Sequence, residues 1–291
     1  MNLQTILQAA ISGALFGGLY AMMAMGLSLT WGMLRVINLA HFAMILLSGY
    51  ITYELATTLR IDPLLTIAVS VPLMFLLAAA LQWLFQASRI SEFNSLLVSF
   101  GIFIVAIQLI TNYWTADFRR MDAAVNPYAT QSVAMGPLIF PTPTLIAFIF
   151  ALAIVAVAYY VLERTYPGRA LRAFAQDREI AAAYGIDHSR LAMLLAGAAG
   201  ATAAAAGALF AVANPLTPDR AFEWIGIVFA IVIIGGIGNV VGTLLAGALV
   251  HTMAALVALL WSPSVAPLVV FSAIVVTLIF RPEGLLGRRG S

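Results

Sequence analysis

The chain has 291 residues, of which 63% are hydrophobic and 9% are charged, with a formal net charge of +2 and no cysteine. A soluble domain is about half apolar and one-quarter charged, so the composition argues strongly against a water-soluble enzyme and favours a multi-pass helical membrane protein. The small net charge gives no reason to expect a nucleic-acid partner. The absence of cysteine excludes disulfides, thiolate metal sites and cysteine nucleophiles.

Nine apolar stretches predict membrane-spanning helices, because a helix needs about 20 apolar residues to cross a bilayer. They cover residues 6–31, 42–59, 63–86, 94–114, 144–162, 191–213, 222–237, 241–261 and 265–280. We therefore predict an all-α transmembrane helical bundle that forms a single domain, 1–291. No Lys or Arg precedes Arg35, so the first stretch lacks the positive region of a cleaved signal peptide and is expected to be retained.

The apolar run 222–261 is too long for one straight helix. Its 40 residues would extend about 60 Å at about 1.5 Å per residue, twice the hydrocarbon thickness of about 30 Å. The Gly-Gly-Ile-Gly sequence at 235–238 predicts a break, and the short piece before it is either a span or a re-entrant segment. Asn38 and His41 raise the same alternative for 36–41, so we expect eight to ten segments, with nine preferred.

The arginine positions predict the orientation of the bundle. With the C-terminus inside, the inner side holds ten arginines: Arg35, Arg89, Arg164, Arg169, Arg172, Arg178, Arg190, Arg281, Arg288 and Arg289. The outer side holds only four: Arg60, Arg119, Arg120 and Arg220. Because cytoplasmic loops carry an excess of Lys and Arg, we predict the N-terminus outside and the C-terminus inside.

The segment 115–143 is then an external loop. It is rich in Pro and aromatic residues, and its charges balance, with Asp117 and Asp122 beside Arg119 and Arg120. Long structured loops are often functional, so we expect either a lid or docking surface, or else a simple connector.

The stretch 191–213 contains 15 Ala or Gly among its 23 residues. Gly197, Gly200, Ala204 and Gly207 share one helix face, and small residues let helix backbones approach closely in lipid. We therefore predict a helix in the centre of the bundle. Its small residues serve close packing, or they place the helix near a pathway or a subunit contact.

One polar segment, 163–190, holds 9 of the 26 charges in its 28 residues. A turn is expected at Pro167 and Gly168. The following residues, 169–184, contain neither Gly nor Pro and favour a single amphipathic helix with Gly185 in the C-cap position. Leu171, Phe174, Ile180 and Tyr184 are expected to form its apolar stripe. The helix either lies on lipid headgroups or, because its charges are mixed in sign, docks onto a protein.

Four motifs in order resemble the permease subunits of branched-chain amino-acid ABC transporters. The run 168–187 looks like their cytoplasmic loop. Within it, Glu179-Ile180-Ala181-Ala182 followed by Gly185 is similar to the Glu-Ala-Ala…Gly coupling signature of ABC importers, although the spacing is shorter and Ile replaces the first Ala. The other motifs occupy 18–41, 234–242 and 280–287, with Phe42 where family members commonly have Gly. The resemblance covers essentially the whole chain and is closest to the first of the two paired permeases.

The resemblance implies a multi-pass subunit of the bacterial inner membrane that forms half of an uptake pathway and is not itself an enzyme. It implies a second homologous permease, two cytoplasmic ATPase subunits through which ATP acts, and a periplasmic substrate-binding protein. No cofactor or metal is expected in this chain. The residues expected to couple to the ATPases are Gly168, Arg169, Arg172, Phe174, Asp177, Arg178, Glu179, Ala182, Tyr184 and Gly185. Among them, Phe174 and Tyr184 are expected as apolar anchors.

Polar residues within apolar stretches are pathway candidates by default. They are Asn38, His41, Gln108, Asn112 and Asn239, although each could instead stitch helices together by hydrogen bonds. The spacing of Gly238 and Gly242 fits small-residue helix packing better than a dinucleotide motif, because no strand precedes it. We expect Gly197, Gly200, Gly207, Gly238 and Gly242 to be packing positions.

Other functions remain open from the sequence. A related ABC permease could carry urea, short amides or simple sugars. A self-sufficient secondary transporter would be expected to place Asp or Glu at mid-depth for ion coupling, and only Glu54 comes near. A non-transporting interaction subunit is the third alternative.

Overall fold

A computed structural model describes residues 2–286, except for the side chains of Glu92 and Arg178. Arg288 and Arg289, which contribute to the arginine asymmetry, lie outside the described residues. Within 2–286 the fold is helical apart from one small β-hairpin. The helices are α1 (Leu3–Leu34), α2 (Ala40–Thr58), α3 (Ile67–Ala87), α4 (Glu92–Trp114), α5 (Thr142–Arg164), α6 (Tyr166–Gln176), α7 (Arg178–Ala183), α8 (His188–Ala213), α9 (Arg220–Gly235), α10 (Val240–Leu260) and α11 (Ala266–Phe280). The antiparallel hairpin strands are β1 (Ser132–Met135) and β2 (Leu138–Pro141).

Seven helices in the described part of the chain are long and apolar enough to cross a membrane: α1, α3, α4, α5, α8, α10 and the segment Pro263–Phe280 that includes α11. The chain is therefore a multi-pass helical membrane protein. The two other predicted stretches also form helices. α9 has 16 residues and a length of about 24 Å, short of a full span, and α2 is less apolar because it carries His41, Glu54 and several hydroxyl groups. The number nine stays a prediction.

The core of the bundle is built around α8 and α1. The most apolar window of α8 is 83% buried and that of α1 is 67% buried, whereas only 6% of the Pro263–Phe280 window is buried. Small side chains on α8 allow α2 and α3 to pack directly on its backbone. The central position predicted for 191–213 is thus confirmed.

The helix break predicted at 235–238 is also confirmed. α9 ends at Gly235 and α10 begins at Val240. Between them Gly236 and Gly238 have φ values of +96° and +80°, a region that favours glycine over residues with a side chain. The chain reverses direction there, so α9 and α10 pack as a hairpin.

Two local predictions for the polar segment are wrong. Residues 169–184 do not form one helix, because Asp177 is extended and its side-chain Oδ1 accepts a hydrogen bond from the Ile180 amide at 2.9 Å, which starts α7 separately. An Asp side chain competes with the helical hydrogen bonds in this way and favours the N-cap. The turn expected at Pro167 is instead the first turn of α6, where a missing amide hydrogen is harmless.

Candidate coupling and translocation site

The polar segment leaves α5 through a very tight connection. Thr165 caps α6, with its Oγ1 accepting a hydrogen bond from the Gly168 amide at 3.4 Å. Gly168 lies directly on the end of α5, where a Cβ atom would come within 2.2 Å of the Val161 carbonyl oxygen. Only glycine fits here, so α6 folds back against the bundle. Thr165 was missed by the sequence analysis, although a Thr two residues before Pro is a helix-start signal.

The inner face of α6 packs against the bundle. Leu171 and Phe174 are each only 6% exposed. The ring of Phe174 lies 4.0 Å from the ring of His188, at the beginning of α8. The predicted apolar stripe is therefore divided between α6 and α7, and Phe174 is occupied by contacts within its own chain.

The outer face of the coupling segment, which we define as residues 166–185 with α6 and α7, is open. Ile180 is 57% exposed and Tyr184 is 85% exposed. Arg169, Glu179 and Ala182 are also exposed, whereas Arg172 forms an ion pair with Glu163 at the end of α5. The side chain of Arg178 lies outside the described structure. Gly185 follows α7 with a φ of +78°, as expected for the C-cap position.

The glycine break lies next to the coupling segment. A cavity of about 300 Å³ separates them, lined by Gly32 of α1, Glu163 and Arg172, and by residues 237–241. The Gly238 amide donates to Ser28 Oγ at 3.0 Å, and a Cβ on Gly32 would lie 2.5 Å from the Gly238 Cα. The motif 18–41, the run 168–187 and the motif 234–242, which are far apart in sequence, therefore meet at one end of the bundle.

The described residues that follow α11 also contact this break. The Leu285 amide donates to the Ile234 carbonyl at 2.7 Å. Asn239 caps α10 by accepting from the Gly242 amide at 2.8 Å, and its Nδ2 donates to the Leu286 carbonyl at 2.5 Å. Both the oxygen and the nitrogen of the Asn239 side chain are thus hydrogen-bonded to backbone. Asn239 therefore joins segments of the chain, as in the alternative to a place in the pathway.

The structure does not bring the other pathway candidates together. His41 is 3% exposed inside the bundle, with Nε2 2.9 Å from the Met23 carbonyl oxygen. Asn38 precedes it and accepts a hydrogen bond from the Ala40 amide at 3.0 Å. Gln108 and Asn112 lie on the exposed face of α4, where Gln108 Nε2 donates to Asn112 Oδ1 at 3.0 Å. His41 is therefore buried in the bundle and Asn38 is half-buried, whereas Gln108 and Asn112 face outward.

The backbone before α2 is irregular. The Leu39 amide donates to Ser99 Oγ at 3.0 Å, and this hydroxyl lies 3.1 Å from the Leu96 carbonyl oxygen of its own helix and 3.3 Å from the Ile37 carbonyl oxygen. Irregular backbone is tolerated at membrane depth only where it is buried in protein or lines a water-filled cavity. Ser99 was missed by the sequence analysis, because a single Ser in an apolar helix carries no distinctive signal.

The five glycines predicted as packing positions all lie at close contacts, four of them with backbone atoms and Gly197 with a side chain. An added Cβ would come within 2.3 Å of the Met74 carbonyl oxygen at Gly200 and within 1.9 Å of the Ile45 carbonyl oxygen at Gly207. At Gly197 it would meet the Phe75 ring at 2.7 Å. Gly242 opposes Gly235 across the α9–α10 break with a corresponding distance of 2.0 Å to its carbonyl oxygen, and Gly238 faces Gly32 at 3.3 Å.

The loop 115–143 is anchored at several places on the opposite end of the bundle. Arg119 pairs with Leu216 through two backbone hydrogen bonds of 2.9 and 2.8 Å. Asn126 is 1% exposed, and its Nδ2 donates to the carbonyl of Val212 at 2.9 Å. The β-hairpin is held to α1, because Gln8 donates to and accepts from the backbone of Ile139 at 2.6 and 3.0 Å. The loop is thus a fixed cover over this end.

Tyr128 adds a further anchor to this loop. Its hydroxyl donates to Asp62 Oδ2, in the turn between α2 and α3, at 2.9 Å. Partial burial, and then the hydrogen bond and charge of Asp62, raise the pKa of the Tyr128 phenol above its usual value. The phenol therefore stays protonated and keeps donating at physiological pH.

The family described as the branched-chain amino acid transport system permease component matches residues 9–279. The chain is 26% identical to the high-affinity branched-chain amino acid transport system permease protein BraD of Pseudomonas aeruginosa, over 97% of this chain and 96% of the relative. It is 25% identical, with the same coverage, to the corresponding permease protein LivH of Salmonella typhimurium and of Escherichia coli. No solved structure gives a significant match.

The match of this family extends from α1 through nearly all of α11 and includes the coupling segment, the glycine break and most of the bundle. The relatives match over nearly their whole lengths. The chain belongs to the family of permease components of branched-chain amino acid transport systems.

Proposed function

We propose that the chain is the membrane permease subunit of an ABC importer and forms half of the pathway for uptake of branched-chain or related amino acids. The observation that carries the proposal is the coupling segment. It packs against the bundle through Gly168 and Phe174, yet its side chains Ile180 and Tyr184 are exposed and available to another protein. Large exposed apolar side chains within a charged surface favour protein docking.

The proposed partners are those that membership of the family implies, and two of them are assigned here to the two ends of the bundle. Two cytoplasmic ATPase subunits bind the coupling segment and supply all ATP chemistry, so the chain itself needs no cofactor and is no enzyme. A second homologous permease completes the pathway, and a periplasmic substrate-binding protein docks over the loop 115–143. The assembly lies in the bacterial inner membrane, with 1–291 as a single permease domain.

Secondary transport is the weaker alternative. In α2, α4, α5 and α9, each acidic residue lies within five residues of a helix end. Glu54 accepts hydrogen bonds from Trp114 Nε1 at 3.1 Å and from Thr58 at 2.9 Å near the outer end of α2. Ion-coupled carriers instead place ionisable groups near mid-depth. Transport driven by separate ATPase subunits therefore fits the described residues better than ion-coupled transport.

The proposal is tested by reconstituting the full importer in proteoliposomes with both ATPases, the second permease and the binding protein. We expect ATP-dependent uptake of leucine, and ATPase activity stimulated by the leucine-loaded binding protein. Uptake of urea, short amides or simple sugars in place of leucine would contradict the substrate assignment. Uptake by the permeases without ATPases would contradict the importer class.

The proposed orientation places the coupling segment in the cytoplasm and the loop 115–143 outside. Ala123→Cys and Ala183→Cys introduce single thiols at exposed positions on opposite ends of a chain that has no native cysteine. In intact spheroplasts expressing this chain without the ATPases, we expect an impermeant maleimide to label position 123. Position 183 should be labelled only after permeabilisation. The reverse pattern would refute the orientation.

A further inference from the structure

A long apolar groove of about 550 Å³ runs along the bundle between α5 and α8. Its floor consists of small α8 residues, including Ala198, Ala201 and Ala205. Larger side chains of α3 and α5 form its walls, and Pro167 and Leu171 of α6 close one end. The recess exists because α8 carries small residues where its neighbours carry large ones.

The dimensions of the groove match one leaflet of a bilayer. The lining of α5 extends from Phe150 to Leu162, about 18 Å at about 1.5 Å per residue. The lining of α8 extends from Leu191 to Ala205, about 21 Å by the same measure. Half of the hydrocarbon core is about 15 Å. A single extended acyl chain therefore fits along the groove.

The chemistry of the lining also fits a hydrocarbon ligand. All of the residues that line the groove are uncharged. Its one hydroxyl side chain, Thr202, donates to the Ala199 carbonyl of its own helix at 2.8 Å. The lining therefore offers van der Waals contact and no free side-chain hydrogen-bond donor.

Two arginines lie next to the α6 end of the groove. Arg164 is the last residue of α5, one turn beyond the lining residue Val161, and Arg190 directly precedes the lining residue Leu191. Both arginines are exposed. The Arg190 side chain is 83% exposed even while it pairs with Asp187 at 3.0 Å. The groove thus has an apolar lining along its length and basic residues beside its α6 end, which matches the acyl chain and the headgroup of a phospholipid.

We propose that this groove binds a phospholipid, with an acyl chain along α8 and the phosphate between Arg164 and Arg190. The favoured lipid is anionic, because two guanidinium groups flank the headgroup position. The acyl chain contacts Pro167 and Leu171, so the bound lipid supports the packing of the coupling segment. The leaflet, but not the binding itself, depends on the proposed orientation: with the coupling segment inside, the lipid belongs to the cytoplasmic leaflet.

The acyl site is tested by native mass spectrometry of the purified, delipidated chain titrated with dioleoyl-phosphatidylglycerol. We expect one lipid per chain, and a loss of apparent affinity of about tenfold in Ala198→Phe, because the new ring fills the groove and removes acyl contacts. Ala80→Phe is the matched control. Ala80 is also exposed and lines a second apolar groove, of about 430 Å³, between α2, α3 and α4. Equal binding by both variants would overturn the site.

The headgroup position is tested by the double variant Arg164→Gln and Arg190→Gln. We expect weaker phosphatidylglycerol binding, again by about tenfold, since charge-assisted contacts to phosphate are lost. Arg281 is an exposed arginine at the end of α11. The control variant Arg281→Gln should bind phosphatidylglycerol as the unmodified chain does. If Ala198→Phe instead retains the lipid and loses association with the second permease, the groove is a protein interface and the proposal fails. Labelling of position 183 from outside would refute only the orientation and leave the lipid result standing.

Discussion

Tyr184→Asp is expected to abolish ATP-driven uptake while the membrane bundle stays folded. Tyr184 is 85% exposed at the end of α7, so its ring adds little to the packing of the bundle. In the proposed complex the ring is an apolar anchor, and a carboxylate buried there without a partner is costly. A loss of about 2 kcal/mol or more, typical of an interface hot spot, weakens docking by about 30-fold. Co-purification of the ATPases and leucine uptake measure the effect.

Phe118→Asp is the matched control for this experiment. Phe118 is 75% exposed on the loop 115–143, at the other end of the bundle. The control should retain the ATPases during purification. Phe174→Asp is unsuitable, because it buries a charge inside the bundle and confuses docking with folding. If Tyr184→Asp also retains the ATPases and full uptake, α7 is not the docking element.

Changing the charge of α7 and the backbone directly after it should also weaken binding of the ATPases. Glu179→Arg reverses an exposed charge on the proposed docking face. Gly185→Val forces a branched residue into a φ of +78°, although no atom lies within 4 Å of the added Cβ. Such strain amounts to about 1–2 kcal/mol, so we expect α7 to be displaced rather than the bundle to unfold. If the double variant retains both the complex and the stimulated ATPase activity, the segment is a lipid-surface element.

Gly207→Leu is expected to prevent assembly of a stable bundle. Even a Cβ atom at Gly207 would lie 1.9 Å from the Ile45 carbonyl oxygen, and a backbone atom cannot move away as a side chain can. Overpacking typically costs about 1–3 kcal/mol, and this rigid contact should reach or exceed the upper value. Gel filtration in detergent and the midpoint of thermal unfolding measure the loss of folded protein.

The chain provides a closely matched control in Gly101→Leu. Gly101 is also a helical glycine, but no atom lies within 4 Å of its added Cβ. The control should leave the yield and unfolding midpoint nearly unchanged, or raise the midpoint slightly, since leucine has the higher helix propensity. Similar losses in the two variants would mean that α2 and α8 are not held by close backbone contact.

Much of the fold could be predicted from composition and spacing. The run 222–261 exceeds one membrane thickness, and glycine tolerates the φ of +96° that the chain adopts at Gly236. The central place of α8 follows from the density of Ala and Gly. Both features depend on local composition and the width of a bilayer, and both can be judged without knowing which helices are neighbours.

Other features depend on tertiary contacts that periodicity does not contain. Phe174 and Tyr184 belong to the same amphipathic pattern, yet one packs on His188 and the other points away from the bundle. The division follows from Asp177, whose N-cap hydrogen bond ends the continuous helix. Gln108 and Asn112 were equally ambiguous, because a polar pair four residues apart looks the same on an inward or an outward helix face.

The contact between α1 and α10 determines the order in which the bundle can close during synthesis. Gly17 lies against the backbone of Gly247, with only 2.3 Å between its added Cβ and the Gly247 carbonyl oxygen, and Ser28 accepts from Gly238, 210 residues further on. At a synthesis rate of about 5–20 residues per second, α1 waits about 10–45 s for this partner. Its small-residue face therefore remains in contact with lipid or the insertion machinery until α10 has been made, so this contact can form only late in synthesis.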